Sequence, residues 1–411
     1  MRYLYELGLI IFRFLLVVVS PFNSKAKLWI EGRKKLLSHI SGKLAAEKKG
    51  KRIWVHVASL GEFEQGRPII EQIKKLHPEY KIVLTFFSPS GYEIRKDYEY
   101  VDYVFYLPED TSRNAKKFIN IVSPEIVLFI KYEYWYNYLV NLKKKGIPIY
   151  MVSAIFRADH IFFKWYGFWY RKMLKMIEHF FVQNEHSKLL LNNLGLTNVS
   201  VSGDTRFDRV VEIAENAPEI PLIEKFKGDK QILIAGSTWK PDEEILIDYI
   251  NKSTDKNRKY IIAPHEIQES NIRRIENALQ KKSVKYSDAE AVDLLEKEVL
   301  IINNVGMLSA IYRYGDIAYV GGGFNSGIHN ILEPATFGLP VIFGEHYEKF
   351  QEAHDLIRLG GAFSIKNNEH FTEIINELII KNLIKEKGVI CKNYIEQKQG
   401  ATLKIINQIL N

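Results

Sequence analysis

A chain of 411 residues, 46% hydrophobic and 26% charged, has the composition of a globular protein and is too long for one ordinary core, so two domains are expected. Its one cysteine, Cys391, excludes an internal disulfide and fits a reducing compartment, and no Cys/His set has zinc spacing. The net charge of +8 sits at one end: residues 1–52 hold twelve Lys/Arg and three acids, an excess of nine, while the other 359 residues hold 45 basic and 46 acidic side chains. That distribution argues against a nucleic-acid binder with a basic face across its fold, and for a tail that meets an anionic surface.

The tail begins with an apolar run, YLYELGLIIFRFLLVVVSPF (3–22), broken by Glu6 and Arg13 and stopped at Pro21. A spanning helix needs ~20 mostly apolar residues, so this one is short and flawed. Lys25, Lys27, Arg33, Lys34 and Lys35 follow at once. An apolar helix backed by basic residues predicts a membrane-associated helix over 1–30, lying on the bilayer or crossing it shallowly, on the cytoplasmic side. No A-x-A-like cleavage site follows, which argues against a signal peptide. A buried first helix is the other reading.

Beyond the tail, short β-branched and aromatic runs alternate with amphipathic stretches. The expected strands are 53–59, 81–87, 103–107, 125–130, 147–154 and 179–184, with helical patterns such as 63–78 and 111–123 between them. Continuous apolar strands separated by helices predict an α/β fold with a parallel sheet covered on both faces. After the Pro-spaced NAPEIPLI (216–223) the pattern restarts, with strands expected at 231–237, 259–264, 299–304, 317–322 and 340–344. Two Rossmann-like domains facing a central cleft follow, one over 31–210 and one over 211–385, with a C-terminal helix over 386–411. In such sheets ligands bind outside the carboxyl ends of the strands, so the strand-end loops are where chemistry is sought.

ASLGEFEQG (58–66) ends the first strand and puts Glu62 at a helix start, where the helix dipole should keep its carboxylate ionised and able to act as a general base. A plain helix cap is the competing reading. FIKYEYWYNYL (129–139) follows another strand, and on an extended chain Lys131 and Glu133 share a side; an exposed ion pair is the alternative. SGDTRFDRV (202–210) offers Arg206, a fork suited to phosphate or carboxylate, or else an interdomain salt bridge to Asp204 or Asp208.

In the second half, GSTWKPDEE (236–244) lets Ser237 and Thr238 cap a helix whose free N–H groups suit a phosphate. Pro264 and His265 follow the next strand, and Val305, Gly306 and Met307 form a tight turn before a helix. SGIHNILEPATFGLPVIFG (326–344) places His329, Asn330 and Glu333 after a glycine-rich loop. There Glu333 could accept from two ribose hydroxyls, and Gly321, Gly322, Gly323 and Gly327 could let backbone approach a nucleotide. The chain has no Asp-x-Asp, which favours transfer without a metal. No Walker A or G-x-S-x-G motif occurs.

Taken together, these blocks make the chain resemble the Kdo transferases, which add 3-deoxy-D-manno-octulosonic acid (Kdo) to the lipid A precursor. The resemblance runs from KAKLWIEGRK (25–34) through HVASLGE (56–62), LPEDT (107–111), SPEIVLFIKYEYW (123–135), QNE (183–185) and GDTRFD (203–208). It continues through GSTWKPDEE (236–244), AYVGGGF (318–324) and HNILEPATFGLPVIFG (329–344). It implies a GT-B glycosyltransferase with CMP-Kdo as donor, the lipid A precursor (lipid IVA) as acceptor, no cofactor, and a place on the cytoplasmic side of the inner membrane. The family's base maps onto Glu62. Its CMP contacts map onto Pro264 and His265, onto Val305, Gly306 and Met307, and onto Asn330, Ile331, Leu332 and Glu333. The chain departs from the usual pattern at Lys131 (commonly Glu), Arg206 (commonly Lys), His265 (commonly Arg), Met307 (commonly Glu) and Ile328 (commonly Gly). A GT-B enzyme using a UDP-sugar on another membrane lipid, and a non-catalytic nucleotide-sugar-binding protein, would share most of these features.

Overall fold

A computed structural model describes residues 2–45 and 50–410; Glu47, Lys48 and Lys49 of the charged tail lie outside the described residues. The chain divides into two compact units, Met1–Arg209 with Gln399–Asn411, and Val210–Lys398.

The first unit is built on seven parallel strands: β1 (Arg52–Val57), β2 (Lys81–Phe86), β3 (Tyr103–Tyr106), β4 (Ile126–Ile130), β5 (Ile149–Ala154), β6 (His179–Val182) and β7 (Val199–Val201), in the order β3-β2-β1-β4-β5-β6-β7. Every residue of β1 and β4 is buried, as expected where helices cover both faces of a sheet. The chain winds outward from β1 to β3 and then crosses back to β4. The strand order therefore reverses between β1 and β4, and the carboxyl ends of that pair form the crevice where α/β sheets take ligands.

The second unit repeats the plan with β8 (Gln231–Thr238), β9 (Arg258–Pro264), β10 (Ser283–Lys285), β11 (Val299–Ile301), β12 (Ile317–Val320), β13 (Val341–Gly344) and β14 (Ala362–Ile365), in the order β10-β11-β9-β8-β12-β13-β14. Here the reversal lies between β8 and β12. All described pairings in both sheets are parallel. Three strands not expected from sequence, β7, β10 and β14, each form an outer edge of a sheet.

The helix Arg2–Val19 docks one face on the first unit. Tyr5 donates its hydroxyl to Asp110 at 2.5 Å, and Phe12 packs edge-on against Trp29 at 5.7 Å. Its other face is apolar and exposed, through Leu4, Leu7, Ile10, Ile11, Phe14 and Leu15. No described helix is long and apolar enough to cross a membrane. Arg33, grouped with the surface lysines in the sequence, instead turns inward. Its guanidinium lies 3.9 Å over the Trp29 ring and donates to the carbonyls of Leu107, Trp29 and Phe87.

The C-terminal segment expected as one helix is two. Ile384–Lys398 belongs to the second unit, while Ala401–Leu410 returns to the first and buries Ile405 and Ile406 among Phe63, Ile69 and Ile70. Asp208 fixes that return by accepting from Thr402 N at 2.7 Å and Thr402 Oγ1 at 2.6 Å, and from Gly400 N. Cys391 is buried, donates to the Gly361 carbonyl at 3.1 Å, and has its thiol pushed up to about 12 by burial.

Candidate active site

The end of β1 carries Glu62 in the first turn of the helix Leu60–Leu76. Its carboxylate folds back to accept from Ala58 N at 2.5 Å. Burial, and then the nearby Glu133 charge, push this carboxyl up to about 7, against the N–H groups of Ala58 and Ser59 and the Lys131 cation. The helix terminus therefore does not keep Glu62 fully ionised at neutral pH, as the sequence suggested. Two stronger effects oppose it, and the outcome is a carboxyl poised for proton exchange near neutrality.

Lys131 and Glu133 stand at the end of β4, on the other side of the crevice. They do not share a side of an extended strand: β4 ends at Ile130, and Lys131 takes a left-handed conformation, φ 65°. Lys131 is half-buried and acts electrostatically on both Glu62 and Asp204. Glu133 turns inward and is only 7% exposed. Its Oε2 accepts from His56 Nε2 at 2.9 Å and from Trp135 Nε1 at 2.5 Å. The other nitrogen of His56 lies 2.8 Å from Thr85 Oγ1, which in turn accepts from Trp54 Nε1 at 2.7 Å. This buried line of polar groups holds Glu133 in place, so it reaches Glu62 through its field rather than by facing a substrate.

Arg206 bridges to Asp204, one of the two partners the competing expectation named, but within the first unit rather than between domains. Its Nε and Nη2 meet Asp204 Oδ2 at 2.9 and 2.8 Å, with 30% of its side chain exposed. Asp208 faces the C-terminal helix instead. Burial works to raise the Asp204 carboxyl, but Arg206, with help from Lys131, holds it below the usual range. Gln65 donates to both Asp204 oxygens at 3.2 Å. Glu62, Lys131, Asp204 and Arg206 thus form one charged group at the carboxyl edge of the first sheet.

In the second unit, three rings layer at the ends of β8 and β9 and in the loop after β12. Trp239 stacks on His265 at 4.5 Å, and His265 on His329 at 4.7 Å. Trp239 Nε1 donates to His329 Nε2 at 3.0 Å, so that nitrogen carries no proton. Burial and the neighbouring His265 lower the His329 pKa, which keeps the ring neutral. His265 itself is exposed, and its backbone N–H donates to Thr238 O at 2.8 Å.

Other expectations here need correction. Ser237 and Thr238 do not cap the helix Lys240–Lys252; Trp239 is its N-cap. Ser237 sits at φ 53°, and Thr238 is buried with its hydroxyl on Glu243 at 3.1 Å. The helix start already holds a carboxylate. Buried Asp242 already accepts there from Trp239 N at 2.9 Å, and also from Gly322 N at 3.0 Å and the Tyr319 hydroxyl at 2.7 Å. Gly321 and Gly323 are required by backbone packing. A Cβ on Gly321 would run into the Ser237 carbonyl oxygen, and one on Gly323 would lie 2.5 Å from Gly344 N.

Pro264 is buried at the end of β9. Val305 is 83% exposed, Gly306 takes φ 92°, and Met307 caps the short helix Leu308–Ile311. Gly327 is half-buried beneath the Phe350 ring. Ile331 and Leu332 are core side chains, so they can offer a ligand only backbone. Asn330 is exposed, donates to Glu333 Oε1 at 3.0 Å and accepts from Leu332 N at 3.1 Å. Sequence reasoning missed His56, Asp204 as a partner rather than a rival, Trp239 and Asp242. A histidine inside the apolar strand RIWVHV was the one available signal, since a buried polar ring requires partners.

A sequence profile described as 3-deoxy-D-manno-octulosonic-acid transferase (kdotransferase) matches residues 33–209. A bifunctional glycosyltransferase/methyltransferase of Fusobacterium nucleatum subsp. nucleatum is 27% identical over 93% of this chain, which spans 63% of that protein's length. A 3-deoxy-D-manno-octulosonic acid transferase of Aquifex aeolicus is 28% identical over 81% of this chain and 88% of its own. Among solved structures, a UDP-GlcNAc 2-epimerase from Neisseria meningitidis superposes with TM-score 0.61 at 15% identity, over 87% of this chain and 99% of that one. MurG of Acinetobacter baumannii superposes with TM-score 0.56 at 12% identity, over 87% and 99%. Those two establish a shared GT-B-like fold. The sequence relatives carry the likeness: over residues 33–209 and through relatives of 25–28% identity, this chain is similar to the 3-deoxy-D-manno-octulosonic acid transferases, and it is a glycosyltransferase.

Proposed function

We propose that the enzyme moves Kdo from CMP-Kdo to the lipid A precursor, lipid IVA, with inversion and without a metal, in lipopolysaccharide synthesis at the cytoplasmic face of the inner membrane. The observation that carries this reading is the Glu62 carboxyl, at the strand-order reversal of the first sheet, with its pKa raised to about 7. In the reaction Glu62 takes the proton of a primary glucosamine hydroxyl. That oxygen bonds to the anomeric carbon of Kdo as the bond from that carbon to the CMP phosphate breaks. The phosphate leaves with the bonding electrons, and the proton stays on Glu62.

Arg206 and Lys131 are the cations assigned to the leaving phosphate, with Arg206 exchanging part of its hold on Asp204 for the substrate. The strand-end loops of the second unit are assigned to CMP. The layered Trp239, His265 and His329 rings supply flat apolar surface, and the Asn330–Glu333 pair supplies polar groups. A neutral His329 adds no charge repulsion toward a cationic neighbour and leaves phosphate neutralisation to the other residues named. The exposed apolar face of the helix Arg2–Val19 is assigned to the bilayer surface.

The test is incubation with CMP-Kdo and lipid IVA in excess EDTA, followed by mass measurement of the product. Addition of Kdo supports the reading; transfer only from a UDP-sugar, or none from any nucleotide sugar, overturns it. Glu62→Ala should cut turnover by about 10²–10⁴-fold, the usual contribution of a positioned base, while CMP-Kdo binding stays near normal.

A further inference from the structure

Two cavities adjoin along the inner face of the helix Arg2–Val19, both inside the first unit. One, of about 260 Å³, is walled by Leu9, Phe12, Trp29, Phe87 and Trp135. The other, of about 230 Å³, is polar and lined by Arg13, Arg33, Lys35 and Asn114. Arg13 and Glu109 line both, and pair at 3.5 Å. Apolar space thus opens on one side of that ion pair and cationic space on the other.

The chemistry of the two spaces differs in a way that selects an occupant. Asp110 also borders the apolar cavity, but its oxygens are taken by the Tyr5 hydroxyl and by the N–H groups of Asn137 and Tyr138, so the wall stays apolar. Beyond the Arg13–Glu109 pair and the Trp29 indole N–H, a sugar there would find few partners for its hydroxyls. A hydrocarbon chain would not, and at ~30 Å³ for a water-sized group the space holds about nine such groups. In the polar cavity three cations face one carboxylate. Arg33 is bonded to carbonyls, and among the described residues no carboxylate lies within hydrogen-bond reach of it. That excess suits an anion. The apolar cavity also reaches Trp135, whose indole N–H holds Glu133, the charge acting on Glu62.

We propose that these joined cavities form the acceptor subsite, the apolar one taking a segment of one acyl chain of an anionic glycolipid and the cationic one its phosphate. This deepens the transferase reading and rests on it for the identity of the glycolipid. An enzyme so built measures whether its acceptor is acylated before the reacting hydroxyl comes to Glu62.

Two measurements on the full chain test this. The first uses 12-bromododecyl phosphate, a single-chain anionic probe whose bromine quenches nearby tryptophan, below its micellar concentration. Native protein should show saturable quenching. Leu9→Phe, which fills the cavity with apolar volume, and Leu9→Glu, which puts a charge in it, should each weaken that quenching by about tenfold, the worth of roughly two buried methylenes. The second is the ratio of kcat/KM for lipid IVA to that for its deacylated form, which should fall by a similar factor in both variants, with melting temperatures recorded to confirm folding. Equal quenching in native and variant protein would mean that the probe sits on the outer face of the helix, and the subsite fails. Saturable, Leu9-sensitive quenching without Kdo transfer would sink the transferase reading and leave the subsite standing. Transfer with unchanged acyl preference would do the reverse.

Discussion

With Glu62 as the proposed base, the chemistry and the stability of this protein pull in opposite directions. Its carboxyl moves from 4.5 to about 7, a shift corresponding to about 3 kcal/mol at 1.36 kcal/mol per pKa unit. A pKa raised by folding gives stability that is fully present below 4.5 and is lost as pH rises through about 7. Glu62→Gln keeps an acceptor for Ala58 N–H but carries no charge. The variant should therefore melt higher than native protein at pH 8, by up to about 3 kcal/mol, with little gain near pH 5, while turnover is lost. Thermal melts at the two pH values check this. As the proposed base, the same group should set the pH profile: kcat/KM should rise with pH through about 7 as Glu62 loses its proton. Glu133→Gln removes a charge that raises Glu62 and should move that limb to lower pH; Lys131→Met removes one that lowers it and should move the limb to higher pH. A residue serving only the fold would shift neither. The position of Glu62 was legible, because strand-end turns are visible in sequence. Its pKa was not, because it depends first on burial and then on Glu133, 71 positions away, which is held in place by His56 and Trp135.

Elements were legible in proportion to their length and burial. Strands such as RIWVHV and IVLFI announce themselves as unbroken apolar runs. VSV, SVK and AFSI do not, because strands of three or four residues at a sheet edge are too short to show a period. Helix starts misled for a different reason. Ser and Thr are good caps, yet at 237–239 the tryptophan takes the cap position and Asp242 satisfies its N–H from inside the helix. Asp242 also holds the glycine-rich loop through Gly322, a contact across 80 residues that local pattern cannot reveal. The C-terminal helix shows the same limit: its apolar face was visible, its destination was not. Asp208→Ala removes the side chain that accepts from Gly400 N and Thr402 N. Loss of such a cap should cost about 1 kcal/mol, read as a lower denaturation midpoint. Deleting 399–411 should cost far more, about 3–6 kcal/mol for the two buried isoleucines alone, read as loss of the cooperative melt of the first unit.

Across the whole molecule, charge and apolar surface coincide at the N-terminus. The stretch of sequence that carries an excess of nine positive charges, residues 1–52, also holds the exposed apolar face of the helix Arg2–Val19, where Tyr3 in the first turn is 84% exposed, and Phe22 just past the helix end, 91% exposed. Anionic lipid attracts juxtamembrane Lys and Arg by about 1 kcal/mol each near the surface. Binding to vesicles containing anionic phospholipid should therefore weaken as salt rises and lose a further share when Lys25, Lys27, Lys34 and Lys35 become Gln. Flotation assays over a salt series measure both. Salt-insensitive flotation would leave the apolar face as the sole attachment. The two-unit plan itself was readable from the restart of strands after residue 216; the return of the last helix to the first unit was not, since nothing local in 399–411 names its partner.

The native thiol has one more consequence. Cys391 is sealed under a carbonyl and holds its proton far above physiological pH, so maleimides and other alkylating dyes should leave it untouched in the folded enzyme. The wild-type sequence is thus already a blank background for site-directed labelling. A spin or fluorophore pair placed on new surface cysteines, one per unit, would report inter-unit distances during turnover without first removing a residue from the interior.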